Sequence, residues 1–357
     1  MKSTETLHDR GQSLWLDNIK RGMLDDGTIQ RYIDSYSVTG LTSNPSIFDT
    51  AIGSGDYDDA IRARAGQRLS AEELFFELAI EDLQRAADLF LPIHERTDGI
   101  DGWVSLEVSP LLAYDTAGTV AAARTLHERA GRPNLLIKIP GTPEGLPAIT
   151  EVVAAGVPVN VTLLFSADHY RAAAGAYLDG VERRAASGLD PAVGSVASVF
   201  MSRWDTAVAK EVPADLVDKL ALAVGLDVYR AYRQAMDSDR AQRLENQGAR
   251  MQRLLWASTR TKDPDASDTL YVHGLAAPHT VDTMPDSTLE AFFDHGEVGD
   301  PLPADGGDAD SMLRRFARAG IDLAEIAARL QREGAESFVD AWNELMNRIR
   351  EQTSAVT

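Results

Sequence analysis

The sequence has no cysteine among its 357 residues. The absence of thiols excludes disulfides, thiolate metal sites and cysteine nucleophiles. No apolar run reaches the about 18 residues that a membrane-spanning helix needs, and residues 1–17 lack the apolar core of a secretory signal. We therefore expect a cytoplasmic protein with no membrane partner.

Basic residues are scarce relative to acidic ones. Lysine and arginine together number 35, against 55 aspartate and glutamate residues, which gives a formal net charge of −20. This charge opposes contact with a nucleic-acid backbone, so we expect no nucleic-acid partner. An anionic substrate would need a local cluster of cations that outweighs the global field. The acidic surface favours a monomer or a weak homodimer.

Strand-like and helix-like segments alternate along the chain. The strand candidates are residues 13–17, 38–42, 103–108, 135–139, 157–165, 193–200, 254–258 and 269–272. Several are apolar throughout, which is typical of strands buried on both faces, and βαβ alternation implies a parallel sheet.

This alternation predicts an α/β fold in which residues 1–357 form a single (β/α)8 TIM barrel domain. Additional helices are expected between the sixth and seventh strands and at the C-terminus, the latter as two stretches, 310–330 and 334–350. A doubly wound sheet is the competing architecture. No GxGxxG segment follows a strand and no Walker A sequence occurs, so no nucleotide motif supports that competitor.

Lys138 lies between two isoleucines in the apolar run 134–142. Burying an ammonium group there costs several kcal/mol unless it is paired or loses its proton, and a neutral amine is a nucleophile. Only six of the 35 basic residues are lysines, and arginine cannot form an imine. The alternative is a structural lysine whose stem packs on the core while its head reaches solvent.

Polar residues follow or end most of the other strand candidates, where a barrel gathers its chemistry. They are Asp17, Asn44, Glu107, Thr162, Ser198, Arg203, Arg260 and Lys262. Each has an ordinary explanation alone, as a helix cap, a turn residue, a surface charge or a β-former. Together with Lys138 they fit an imine-forming aldolase, in which a lysine accepts electrons, carboxylates move protons and arginines grip a phosphate.

Five segments carry a resemblance to a known family. They are LTSNPSIF at 41–48, IKIPGTPEG at 137–145, NVTLLFS at 160–166, SVFMSR at 198–203 and WASTRTK at 256–262. In this order they resemble transaldolase, the class I Schiff-base (β/α)8 family of the non-oxidative pentose phosphate pathway. The resemblance covers nearly the whole chain. It implies transfer of a dihydroxyacetone unit from sedoheptulose 7-phosphate or fructose 6-phosphate to glyceraldehyde 3-phosphate or erythrose 4-phosphate.

The resemblance also implies roles for individual residues. Lys138 is similar to the Schiff-base lysine, and Asp17 to the group that takes the C4 hydroxyl proton. Glu107 and Thr162 match the pair that handles the catalytic water. The substrate-binding residues implied are Asn44, Ser198, Phe200, Arg203, Arg260 and Lys262; whether Arg260 or Lys262 is the second phosphate ligand stays open. The expected partners are sugar phosphates, with no cofactor and no metal.

Three other readings remain beside transaldolase. A related aldolase would release free dihydroxyacetone because water, rather than an acceptor sugar, meets the enamine. A barrel that has lost catalysis would only bind sugar phosphates, although the lysine and both carboxylates are present. A pyridoxal-phosphate barrel also uses a strand lysine, and the absence of visible-edge absorbance would exclude it. His169, His273 and His279 stand alone and are interpreted as structural or surface residues.

Overall fold

The computed structural model describes residues 2–355. Eight parallel strands close into a barrel in chain order, and the first pairs with the last. The α/β barrel prediction is therefore confirmed. The strands are β1 (Ser13–Leu16), β2 (Val38–Leu41), β3 (Val104–Glu107), β4 (Leu135–Pro140), β5 (Val159–Leu164), β6 (Ser195–Phe200), β7 (Arg253–Ala257) and β8 (Val281–Met284).

Sixteen α-helices within residues 2–355 surround the barrel. None of them is long and apolar enough to cross a membrane. In chain order they are α1 (Ser3–Asp9), α2 (Arg21–Asp25), α3 (Thr28–Tyr36), α4 (Pro45–Ile52), α5 (Asp58–Arg64), α6 (Ala71–Arg96), α7 (Thr116–Ala130), α8 (Gly145–Ala154), α9 (Ala167–Ala186), α10 (Ser202–Val208), α11 (Leu220–Met236), α12 (Asp239–Glu245), α13 (Leu270–Gly274), α14 (Asp286–His295), α15 (Ala309–Arg318) and α16 (Leu323–Ala355).

Most strand residues are apolar because both faces of the strands are covered. All six residues of β4, β5 and β6 are buried, between the barrel interior on one side and the helices on the other. This packing explains why the sequence shows continuous apolar runs rather than alternation. It also means that a polar residue in these strands lies in the dry interior.

The eighth strand was predicted at the wrong segment. Residues 269–272 belong to the end of a loop and to helix α13, whereas the barrel closes through β8 at Val281–Met284. Tyr271 turns inwards from α13, where its hydroxyl donates to the Asp205 carboxylate at 2.8 Å. The real β8 carries Asp282 and Thr283. These polar residues disguise it as a loop, and tertiary contacts override the β-like composition of the earlier segment.

The predicted break between the two C-terminal helices was also wrong. The chain turns at residues 319–322, where Gly320 has a positive φ of 92°, and α16 then continues without interruption through Gly334. Asp322 opens α16, and its carboxylate accepts from the backbone N–H groups of Ala324 and Glu325. The predicted break, at residues 331–333, therefore lies inside α16, and the real break lies about ten residues earlier.

Candidate active site

A cavity of about 220 Å³ lies at the C-terminal ends of the barrel strands. All of the predicted site residues except Glu107 line it, and Glu107 lies directly behind Lys138. The predicted residues, which are spread over positions 17–262 of the sequence, therefore meet in one place. The lining residues are Asp17, Thr42, Asn44, Lys138, Thr162, Ser198, Phe200, Arg203, Ala257, Ser258, Arg260, Lys262, Thr283, Pro285 and Phe338.

The Lys138 amine is buried inside this cavity, with the residue only 5% exposed. Its Nζ lies 3.0 Å from Oε2 of Glu107 and donates to the carbonyl of Ser43 at 3.1 Å. The ring of Phe338, whose centroid is 5.3 Å from Nζ, covers another side. The structural alternative, a head group that reaches solvent, is therefore excluded by the burial.

Glu107 and Thr162 flank the lysine from the neighbouring strands. Glu107 is directly opposite Lys138 in the β3–β4 register, and Thr162 is opposite Pro140 between β4 and β5. Burial raises the pKa of Glu107 and the Lys138 charge acts against that rise. The Oε1 atom of Glu107 and the hydroxyl of Thr162 are buried without a hydrogen-bond partner in the described residues. Unsatisfied polar atoms of this kind are typical of a site that holds water or substrate.

Asp17 approaches the cavity from the end of β1. Its Oδ1 accepts from the hydroxyl of Thr42 at 2.7 Å, and that hydroxyl lies 2.7 Å from the hydroxyl of Thr283. Burial raises the pKa of Asp17, while the Lys138 charge and the Thr42 hydrogen bond lower it in part. A carboxylate with a raised pKa is a better proton acceptor than one in water.

Two neutral groups occupy the remaining wall. Asn44 caps α4, because its Oδ1 accepts from the backbone N–H of Ile47 at 3.1 Å. Ser198 is buried and donates to Oδ1 of Asn160 at 2.7 Å, while Nδ2 of Asn160 donates to Ser105 at 3.1 Å. This chain of hydrogen bonds crosses the barrel interior and fixes the orientation of the Ser198 hydroxyl.

Three cations gather on one side of the cavity. The Arg203 guanidinium extends from α10 over the ring of Phe200, 5.3 Å from its centroid. Partial burial lowers the pKa of Lys262, and the positive charges of Arg260 and Arg203 lower it further. The structure thus brings both candidate phosphate ligands, Arg260 and Lys262, to the site. This cluster supplies the local positive field that the net charge of −20 made necessary.

Sequence reasoning missed several contacts in the site. Thr42 was quoted only as part of a motif, Asn160 likewise, and Thr283 belongs to the strand that was placed incorrectly. Phe338 lies two hundred positions after Lys138 in a helix whose apolar residues are typical of core packing. No spacing signal links it to the lysine. Within the part of the chain that the structure describes, no three His, Asp or Glu side chains converge as metal ligands.

A larger cavity, of about 440 Å³, lies at the opposite end of the barrel. Its charged groups are largely engaged with their neighbours: Arg253 donates to Ser13 at 2.7 Å, and Asp101 accepts from Trp15 at 2.8 Å. In (β/α)8 barrels the N-terminal end usually serves stability, whereas the catalytic residues lie at the C-terminal end. The smaller cavity, with its buried amine paired to Glu107 and with Asp17 in its wall, is the candidate active site.

Comparison with known proteins agrees with this geometry. The family described as "Transaldolase/Fructose-6-phosphate aldolase" matches residues 14–349. The chain is 45% identical to a "Transaldolase" of Saccharopolyspora erythraea over 356 residues, which cover 98% of this chain and 97% of that protein. It is 45% identical to a "Transaldolase" of Thermobifida fusca over 363 residues, with 99% of both chains covered. The chain therefore belongs to the transaldolase/fructose-6-phosphate aldolase family.

Proposed function

We propose that this protein is a transaldolase that transfers a dihydroxyacetone unit between sugar phosphates through a Schiff base on Lys138. The donors are sedoheptulose 7-phosphate or fructose 6-phosphate, and the acceptors are glyceraldehyde 3-phosphate or erythrose 4-phosphate. The observation that carries the proposal is the buried Lys138 amine, 3.0 Å from Glu107 and in one cavity with Asp17 and three cations. The names of the relatives support the same activity.

The first step joins the lysine to the donor. The neutral Lys138 amine attacks the C2 ketone, and the resulting carbinolamine loses water to give a protonated imine. Glu107 supplies the proton that leaves with the hydroxyl group, since burial raises its pKa and so favours its protonated form. The free hydroxyl of Thr162 offers the departing water a hydrogen-bond partner.

The second step breaks the carbon–carbon bond. Asp17 accepts the proton of the C4 hydroxyl, the C3–C4 electron pair moves towards the cationic imine nitrogen, and an aldose phosphate leaves. The three-carbon unit stays on Lys138 as an enamine. An acceptor aldehyde then reacts in the reverse sense, and hydrolysis of the new imine regenerates the amine. Thr42 keeps the Asp17 carboxylate oriented through its hydrogen bond.

The cation cluster holds the phosphate at the far end of the substrate. Arginine binds phosphate oxygens in bidentate fashion, and charge-assisted hydrogen bonds are the stronger kind. Arg203 is stacked on Phe200 and is therefore pre-oriented, whereas Arg260 and Lys262 are exposed at the rim. We assign the inner phosphate contact to Arg203 and the outer one to the other two residues jointly.

A coupled assay with fructose 6-phosphate and erythrose 4-phosphate tests the function. Wild-type protein should form glyceraldehyde 3-phosphate, which a dehydrogenase with NAD detects. Lys138→Ala should abolish turnover while circular dichroism stays native. Asp17→Ala should slow cleavage much more than imine formation, so borohydride should still trap the intact sugar. Turnover by Lys138→Ala at the wild-type rate would contradict the proposal.

A further inference from the structure

The C-terminal helix α16 contributes one face to the mouth of the barrel. Gln331, Gly334 and Phe338 share that face, since they are spaced at i, i+3 and i+7. Gln331 is buried, and its Nε2 donates to the carbonyls of Leu163 at 2.9 Å and Gly141 at 3.1 Å. Leu163 lies near the end of β5 and Gly141 directly follows β4, and these strands carry Thr162 and Lys138. The helix is thus fastened to the two strands that carry the chemistry.

Leu163 makes this fastening specific. It has a positive φ of 59°, and the β5–β6 register shifts between Val161 and Leu164. A leucine in the left-handed region is strained by about 1–3 kcal/mol and persists only where its surroundings determine it. The hydrogen bond from Gln331 to its carbonyl is one such determinant.

Gly334 allows the helix to approach closely. A Cβ atom built there would lie 2.9 Å from Cδ2 of Leu163 and 3.3 Å from Nη1 of Arg203. The close approach brings Phe338, one turn further along, over the Lys138 amine. The Phe338 ring is 7% exposed and lies edge-to-face against Phe200, with the ring centroids 6.5 Å apart.

We propose that Phe338 determines whether the three-carbon enamine on Lys138 reacts with a sugar acceptor or is lost to water. The inference rests on the proposed transaldolase function and adds a specificity-determining residue to it. The ring covers the reacting nitrogen on the side of α16, so from that direction water does not reach the attached three-carbon unit to protonate its enamine carbon. The substrate side of the cavity stays open to the phosphorylated acceptor.

The two fates of the enamine differ in which bonds form. In transfer, the enamine carbon attacks the acceptor aldehyde, a carbon–carbon bond forms, and the aldehyde oxygen takes a proton from Asp17. In release, the enamine carbon instead takes a proton from water, and the resulting imine is hydrolysed by addition of hydroxide to the imine carbon. The C–N bond then breaks and yields free dihydroxyacetone and the Lys138 amine. Both routes end in hydrolysis of an imine, and only release needs water as the proton donor beside the enamine carbon.

The test measures both fates for each variant. Free dihydroxyacetone is quantified with fructose 6-phosphate alone, and transfer is quantified with erythrose 4-phosphate added. In Phe338→Ala the lost ring leaves room for water, so the ratio of release to transfer should rise about tenfold, the equivalent of about 1.4 kcal/mol. Phe338→Leu fills most of the same volume and should keep the ratio within about twofold of wild type.

Trp342 supplies a matched control on the same helix. It is 3% exposed and packs against Phe75 and Phe76, away from the lining of the cavity. Trp342→Leu should lower thermal stability and leave the release-to-transfer ratio unchanged. A ratio that rises equally in this variant would overturn the inference, because general loosening of α16 would then explain it.

The outcomes separate the inference from the proposed function. If wild-type protein transfers the unit and Phe338→Ala keeps the wild-type ratio, the inference is wrong and the transaldolase proposal stands. If wild-type protein neither transfers the unit nor forms a borohydride adduct, the proposed function fails and the inference fails with it. Should Phe338→Ala not fold by circular dichroism, Phe338→Val is judged by the same ratio.

Discussion

Asp282 should make the stability of the protein fall as the pH rises. It lies in β8, fully buried, where its Oδ1 accepts from Thr259 at 2.8 Å and its Oδ2 has no partner in the described residues. Burial raises the pKa of Asp282 to about 7, against the Thr259 hydrogen bond, which lowers it. The folded state therefore binds the proton more tightly than the unfolded state, in which the pKa of an aspartate is about 3.9.

The sign and size follow from linkage. The stabilising contribution of the proton is fully present below about pH 4 and is lost progressively up to about pH 7, the folded pKa. The shift of about 3 units corresponds to about 4 kcal/mol in total, of which about 3 kcal/mol falls between pH 5 and pH 8. Asp282→Asn stays neutral and keeps an acceptor for Thr259, so the variant lacks this dependence.

Urea unfolding followed by tryptophan fluorescence measures the effect. The free energy of unfolding is determined for wild type and Asp282→Asn at pH 5 and pH 8. From pH 5 to pH 8 the free energy of unfolding of wild type should fall by about 3 kcal/mol relative to that of the variant. The unpaired amide of the variant adds a fixed penalty at both pH values, which does not change this difference. Other buried acids, among them Asp17 and Glu107, titrate in both proteins and cancel in the comparison. A difference between the two proteins that is the same at both pH values would refute the reasoning.

Two further substitutions test the phosphate grip and the approach of α16. Arg203→Ala should raise KM for fructose 6-phosphate about 10- to 100-fold in steady-state assays, because a charge-assisted contact is lost. The KM for unphosphorylated fructose should stay unchanged, and an equal rise for both sugars would contradict the role of Arg203. Gly334→Ala should lower the melting temperature, because its Cβ would crowd Leu163. The control Gly175→Ala, also inside a helix but with open space around it, should raise the melting temperature, in line with about 1 kcal/mol of helix propensity.

The barrel could be predicted because its strands are buried on both faces. Mostly apolar runs such as β4, in which Lys138 is the one charged residue, favour buried parallel strands when helices lie between them. The eighth strand was missed for the opposite reason. Asp282 and Thr283 interrupt its apolar character, and their partners, Thr259 and Thr42, come from other strands. Those hydrogen bonds exist only once the barrel closes.

The candidate site could be predicted wherever it is built from strand ends. The tip of each parallel strand lies at the same end of a barrel, so Asp17, Glu107 and Lys138 were expected to meet. Phe338 and Gln331 could not be found in this way. They reach the site because α16 folds back over the mouth of the barrel, and the direction of a terminal helix is set by long-range packing. Gly334 was predicted to begin a helix but lies inside α16, where the close approach of Leu163 explains the need for a small residue.

The most direct test of the Schiff-base mechanism is borohydride reduction in the presence of fructose 6-phosphate, followed by peptide mass spectrometry. A reduced three-carbon adduct on the peptide that contains Lys138 is the predicted result, because it records both the nucleophile and the cleavage of the C3–C4 bond. The chain has only six lysines, so the modified one can be assigned without ambiguity. Folded protein that carries no adduct, or carries it on Lys262 instead, would contradict the mechanism.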